Sequence, residues 1–126
     1  MLFRSDAQHN LGNTLQSLGR FEEAEQHLRQ ALALAPDGAE AHNSLGNLLL
    51  QLARYAEAEQ RFRAALALKP DYADACNNLG IALSQSGQFS EAERYLRAAL
   101  ALKPDAGIAH SNLGLVLERL GRLADA

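Results

Sequence analysis

A period of 34 residues runs through this chain and restricts its fold more than any other feature. Leu-Gly recurs at Leu11-Gly12, Leu45-Gly46, Leu79-Gly80 and Leu113-Gly114, and a Pro-Asp junction begins at Pro36, Pro70 and Pro104. No insertion disturbs the spacing. Blocks 39–72 and 73–106 are identical at more than half of their positions, and the run from Arg63 to Asp71 is repeated from Arg97 to Asp105. A unit this short cannot bury both of its faces alone, so neighbouring units must stack to complete a core.

Each block reads as two helices. Ala41, Leu45, Leu48, Leu49 and Leu52 form one stripe of a 3.6-residue period, and Ala58, Phe62, Ala65 and Leu66 form a second. Gly19, Gly87 and Gly121 stand where the first helix of a block should close, because glycine takes the left-handed conformation without steric cost. Block 39–72 has Ala53 at that point, which predicts a turn that is slightly strained or differently closed. The prolines end the second helices, and Asp37, Asp71 and Asp105 are placed to cap the next first helices. Gly12, Gly46, Gly80 and Gly114 lie within first helices, where glycine costs about 1 kcal/mol against alanine. Close approach of a second helix, with Ala24, Ala58 and Ala92 across the pair, is the expected return. The absence of Trp and an aromatic content of 6% beside abundant Ala and Leu favour helix over strand.

The chain thus predicts an all-α solenoid of antiparallel helix pairs. Its units are a leader at 1–4, full repeats at 5–38, 39–72 and 73–106, and a partial repeat at 107–126 holding a first helix and the start of a second. At His42, Leu45, Gly46, Leu49, Ala58, Phe62, Ala65 and Pro70 the chain resembles the tetratricopeptide repeat (TPR) family. The same pattern runs through Cys76, Leu79, Gly80, Leu83, Ala92, Leu96, Ala99 and Pro104, and through Gln8, Leu11, Gly12, Leu15, Ala24, Leu28, Ala31 and Pro36. It departs at the family's frequent Trp, replaced by Gln8, His42, Cys76 and His110. The resemblance implies a right-handed superhelix whose first helices line a groove for peptides or extended protein segments.

Helical geometry names the groove positions. If Leu45, Leu49 and Leu52 pack inward, then Glu40, Asn43, Ser44, Asn47 and Gln51 face the groove, as do their equivalents in the other blocks. All seven asparagines of the chain fall in first helices: Asn10, Asn13, Asn43, Asn47, Asn77, Asn78 and Asn112. Asparagine is a poor mid-helix residue, whereas its amide matches the donor and acceptor of a peptide unit. These residues are the candidate peptide-binding ladder; bridging between repeats is the alternative use of the same amides. Asn-Leu-Gly with Lys-Pro-Asp junctions is also similar to the repeats preceding O-GlcNAc transferase catalytic domains, which implies a substrate-recruiting arm as a second reading. The family's clamp for acidic chaperone C-termini requires cations, and Asn43, Ile108 and Asn112 stand at those positions instead.

Other functions are disfavoured. A net charge of −3 with no basic run argues against nucleic acid and anionic membranes as partners, and no stretch reaches the ~20 apolar residues of a membrane span. The start of the chain lacks the order of a secretory signal, and Cys76 is the one cysteine, so a cytoplasmic location is expected. His42, Cys76 and His110 share a repeat position, but equivalent first helices should stand roughly two helix layers of about 8–10 Å apart, too far for the three to hold one metal ion. No catalytic motif is present, so neither an enzyme nor a cofactor is expected. Glu25/Arg29, Glu59/Arg63 and Glu93/Arg97 are spaced as exposed i, i+4 pairs on second helices. The last helix carries Leu113, Leu115, Val116, Leu117, Leu120 and Leu123 in place of a polar cap. The expectation is therefore either that the chain was cut from a longer array or that molecules associate through the ends of the solenoid as a homo-oligomer.

Overall fold

The computed structural model describes residues 2–125, and side chains within 4–122. Among the described residues seven helices follow one another: α1 (Leu2–Ser17), α2 (Phe21–Leu34), α3 (Ala39–Gln51), α4 (Tyr55–Leu68), α5 (Ala73–Gln85), α6 (Phe89–Leu102) and α7 (Gly107–Asp125). No strand occurs among the described residues. Each helix packs on the next, and the first helices α1, α3, α5 and α7 also touch one another in sequence. The result is a right-handed superhelical solenoid, three helix pairs and a seventh helix long.

Burial follows the predicted stripes. Leu45, Leu48, Leu49, Ala58, Phe62, Leu79, Leu83 and Leu96 are sealed from solvent in one continuous core that runs through the stack. Each large side chain so buried contributes roughly 1.5–3 kcal/mol by leaving water. The mid-helix glycines make this packing possible in a manner only half foreseen. A methyl group at Gly46 would lie 2.5 Å from the Phe62 ring, one at Gly12 2.7 Å from Leu28 and one at Gly80 2.6 Å from Leu96. The glycine accommodates the large residue of the second helix; the Ala24 and Ala92 backbone carbonyls sit slightly further out.

The turns between paired helices close alike. In each, the residue after the last helical turn has positive φ, at 79° for Gly19, 60° for Ala53 and 81° for Gly87. The next N–H reaches back five residues, from Arg20 to Leu15, Arg54 to Leu49 and Gln88 to Leu83, in the bond pattern of a Schellman cap. Ala53 therefore carries the strain its residue type predicts, since a left-handed alanine costs about 1–2 kcal/mol.

Three expectations require correction. Gly121 closes no turn, because α7 continues through it to Asp125. No neighbour lies within 4 Å of a methyl group placed at Gly114 or Gly121, so no packing partner opposes local helix propagation. Asp37 and Asp71 are not caps either: Gly38 and Tyr72 occupy the cap positions of α3 and α5, without a side-chain cap bond. The aspartates sit one residue earlier, in the Pro-Asp turn. Finally, equivalent first helices are nearer than two helix layers, close enough for direct side-chain bonds.

Candidate peptide-binding groove

Those bonds define the inner face. His9 Nε2 meets Ser44 Oγ at 2.8 Å, Asn78 Nδ2 donates to Asn43 Oδ1 at 3.1 Å, and Asn112 Nδ2 donates to Asn77 Oδ1 at 3.2 Å. Each joins one repeat to the next across a separation of 35 residues, so one register of α1, α3 and α5 is bound to the adjacent register of α3, α5 and α7. A polar rail follows the superhelix. Gln16 Nε2 adds a parallel link to Gln51 Oε1 at 2.6 Å.

The seven asparagines divide accordingly. Asn43 is 7% exposed and serves the contact between repeats, where burial without a partner would be costly. Its neighbour Tyr72 has its hydroxyl pushed up in pKa by burial, then by the Glu40 and Asp74 carboxylates, against a hydrogen bond with Asn43. Asn77, Asn78 and Asn112 are partly exposed. Each uses one amide atom in the rail, which leaves Nδ2 of Asn77 and Oδ1 of Asn78 and Asn112 outside it. Asn10 is exposed, Asn13 and Asn47 are partly so, and their side chains make no hydrogen bond among the described residues. The bridging role weighed from sequence is thus real for Asn43, Asn77, Asn78 and Asn112.

The groove changes character along its length. Asp6, Glu40 and Asp74 occupy one register on α1, α3 and α5, all exposed, and Ile108 replaces them on α7 at 71% exposure. Asn13 and Asn47 occupy another register, followed by Ile81 and then Leu115 at 61% exposure. Ile81 and Leu115 border a depression of about 80 Å³ that Gly80, Leu96 and Val116 line together with Ser84, Gln85 and Asn112.

Of His42, Cys76 and His110, which share one repeat position, the two histidines have hydrogen-bond partners and Cys76 is buried. His42 Nε2 bonds the Pro36 carbonyl at 3.1 Å, and its Nδ1 lies 3.3 Å from Arg61 Nη1. Burial lowers its pKa, and the Arg61 charge lowers it further, against the Pro36 bond. His110 repeats the bond to Pro104 at 2.8 Å. Cys76 is buried, and burial raises its thiol pKa. It is a small apolar packing residue.

On the second helices all three expected ion pairs form. Sequence spacing alone missed their links between repeats: Arg54 reaches Glu25 at 2.8 Å, and Arg63 reaches Glu91 at 3.1 Å. Burial raises the Glu25 carboxyl, but the bonds from Arg54 and Arg29 outweigh it and hold the pKa below its ordinary value. The offsets of 29 residues between Glu25 and Arg54 and of 28 between Arg63 and Glu91 are the signal that would have found them.

Models of the tetratricopeptide repeat match residues 3–71 and 77–126. No curated protein matches the chain. Among solved structures, the chain is similar to an O-GlcNAc transferase mutant from Thermobaculum terrenum, with TM-score 0.86 and 34% identity, covering 90% of this chain and 22% of that one. The first TPR of Spaghetti (RPAP3), bound to the HSP90 peptide SRMEEVD, aligns with TM-score 0.94 and 21% identity over 96% of each chain. The second TPR domain of human RPAP3, in complex with the HSP70 peptide SGPTIEEVD, gives 0.86 and 23%, covering 90% of this chain and 95% of that one.

Proposed function

The chain belongs to the tetratricopeptide repeat family, and on that footing we propose that it is a protein-interaction module that grips an extended polypeptide in the groove of α1, α3, α5 and α7. The carrying observation is the set of amide atoms left outside the rail at Asn47, Asn77, Asn78 and Asn112, with Asn10 and Asn13 continuing the row. A side-chain amide can bond a main-chain N–H and C=O together, which holds an extended backbone without reading its side chains. Asn43 contributes by fixing Asn78. The peptides bound by the two RPAP3 domains support a groove of this kind. The scaffold is read as non-catalytic.

Selection of random 12-residue display peptides on the wild-type chain tests this. Binders are expected to lose at least tenfold in affinity when Asn47, Asn78 and Asn112 are replaced by Ala. Unchanged affinity at unchanged helicity would contradict the ladder.

Two further readings each have an observation behind them. Identity of 34% to the O-GlcNAc transferase over 90% of this chain supports a substrate-recruiting arm. That reading expects polypeptides captured from the source cell's extract to carry O-linked N-acetylglucosamine, and a captured set free of it would go against the idea. Self-association is supported by apolar ends: Leu11 is 43% exposed at one, and Leu117 is 40% exposed at the other. A sedimentation coefficient that rises with concentration is the expected sign, and a constant monomer value the contrary one.

A further inference from the structure

The groove is not uniform, and its asymmetry specifies what a bound segment should carry. The inner face begins with the carboxylates of Asp6, Glu40 and Asp74, each one repeat apart. It ends at Ile81, Leu115 and Ile108, in registers that hold Asn or acid earlier in the chain. Asp74 meets Lys103 at 3.5 Å, with both side chains more than half exposed, so the pair leaves the acidic rim largely uncompensated. No salt bridge joins Asp6 or Glu40 to another described residue. The cation at the matching registers of the inner face is Arg119, on α7, at the apolar end.

We propose that the occupant is an extended peptide bound in one polarity, with an aliphatic side chain seated between Ile81 and Leu115 and Lys or Arg side chains facing Glu40 and Asp6. This rests on the groove reading above and adds the ligand's chemistry. Two observations carry it independently of the amides. The Ile81–Leu115 depression is lined by Gly80, Leu96 and Val116 together with Ser84, Gln85 and Asn112, an apolar patch with a polar margin of a size suited to one branched side chain. Leu115, which lines it, is 61% exposed, a surface that a partner's apolar group would cover. The acidic rim supplies the second, because an acidic segment there would meet like charge within a screening length of about 8 Å. Stacked helices lie about 8–10 Å apart, and an extended chain advances about 3.3 Å per residue. The first basic residue therefore belongs roughly three to six positions from the aliphatic one. The acidic EEVD segments of the two RPAP3 complexes are opposite in charge to the ligand inferred here.

The test uses the full chain and three fluorescein-labelled 12-residue peptides read by anisotropy. One has two Leu at one end and three Lys in the other half, the second has Glu for Lys, and the third has Ser for Leu. The Leu/Lys peptide is expected to bind at least tenfold more tightly than either twin, with the advantage over the Glu twin shrinking as salt rises. Ile81→Asn with Leu115→Asn, which installs what Asn13 and Asn47 provide in earlier repeats, should erase the Leu-over-Ser preference and keep the Lys-over-Glu preference. Asp6→Asn with Glu40→Gln should do the reverse. Equal binding of all three peptides, still sensitive to Asn47→Ala and Asn78→Ala, would overturn the ligand chemistry and leave the amide groove standing. Preference for the Glu twin, or no binding by any of the three, would also overturn it.

Discussion

The interior helices α3 and α5 and the terminal helix α7 carry the same repeat in two surroundings. In α3 and α5, Gly46 and Gly80 lie against Phe62 and Leu96, and Leu49 and Leu83 are buried. In α7, nothing lies within 4 Å of a methyl group placed at Gly114, and Leu117, the equivalent of Leu49 and Leu83, is 40% exposed. The interior pairs turn at Ala53 and Gly87, whereas α7 runs past Gly121. Identical sequence logic gives a closed hairpin where a second helix packs and a continuous helix where none does. The turn is therefore a tertiary outcome, and the glycine permits it without forcing it.

Substitutions at matched positions can break this contrast. Phe62→Ala should cost about 3–5 kcal/mol, as expected for a fully buried ring, while Leu117→Ala should cost under about 1 kcal/mol; denaturant melts of the two variants decide it, and equal losses would refute the difference in packing. Gly46→Ala comes next. Its methyl group would meet the Phe62 ring at 2.5–2.9 Å, and overpacking should exceed the helix-propensity gain by about 1–2 kcal/mol. Gly114→Ala meets no neighbour and should leave stability unchanged or raised by up to about 1 kcal/mol. A smaller gain, about 0.5–1 kcal/mol, is expected from Ala53→Gly, which relieves a left-handed alanine and gives back part of it as chain entropy; a lower melting temperature for this variant would contradict the strain.

The smallest effect concerns pH. His42 has its pKa lowered in the folded chain below the value of 6.5 it has when free. The unfolded state then binds the proton more readily, so His42 contributes stability above pH 6.5 that is lost as pH falls through the folded value. Its equivalent in the first repeat is Gln8. His42→Gln should flatten the acid-side loss of stability below pH 6.5, and an unaltered profile would show that His42 does not contribute to it.

Much of the architecture was legible because it is repetitive. Leu45, Leu49, Phe62 and Pro70 state the helix faces and their ends, and three copies make each periodic signal explicit. Ala53 was legible for a different reason, since its departure from Gly19 and Gly87 isolates one backbone requirement. What escaped depends on distances between repeats. Nothing in the spacing of Asn43 and Asn78 tells whether their amides meet each other or a ligand, because that turns on the rise and twist of the superhelix. The same holds for Arg54 and Glu25, joined across repeats only once the stack is built.

The most direct examination of the amide groove is a titration of the 15N-labelled chain with the Leu/Lys peptide, following the side-chain amide signals of the asparagines. The signals of Asn47, Asn77, Asn78 and Asn112 should shift and saturate together, while Asn43, held in the rail, moves little. Saturable binding with shifts confined to α2, α4 and α6, or to the Leu117 face of α7, would contradict the groove as the site.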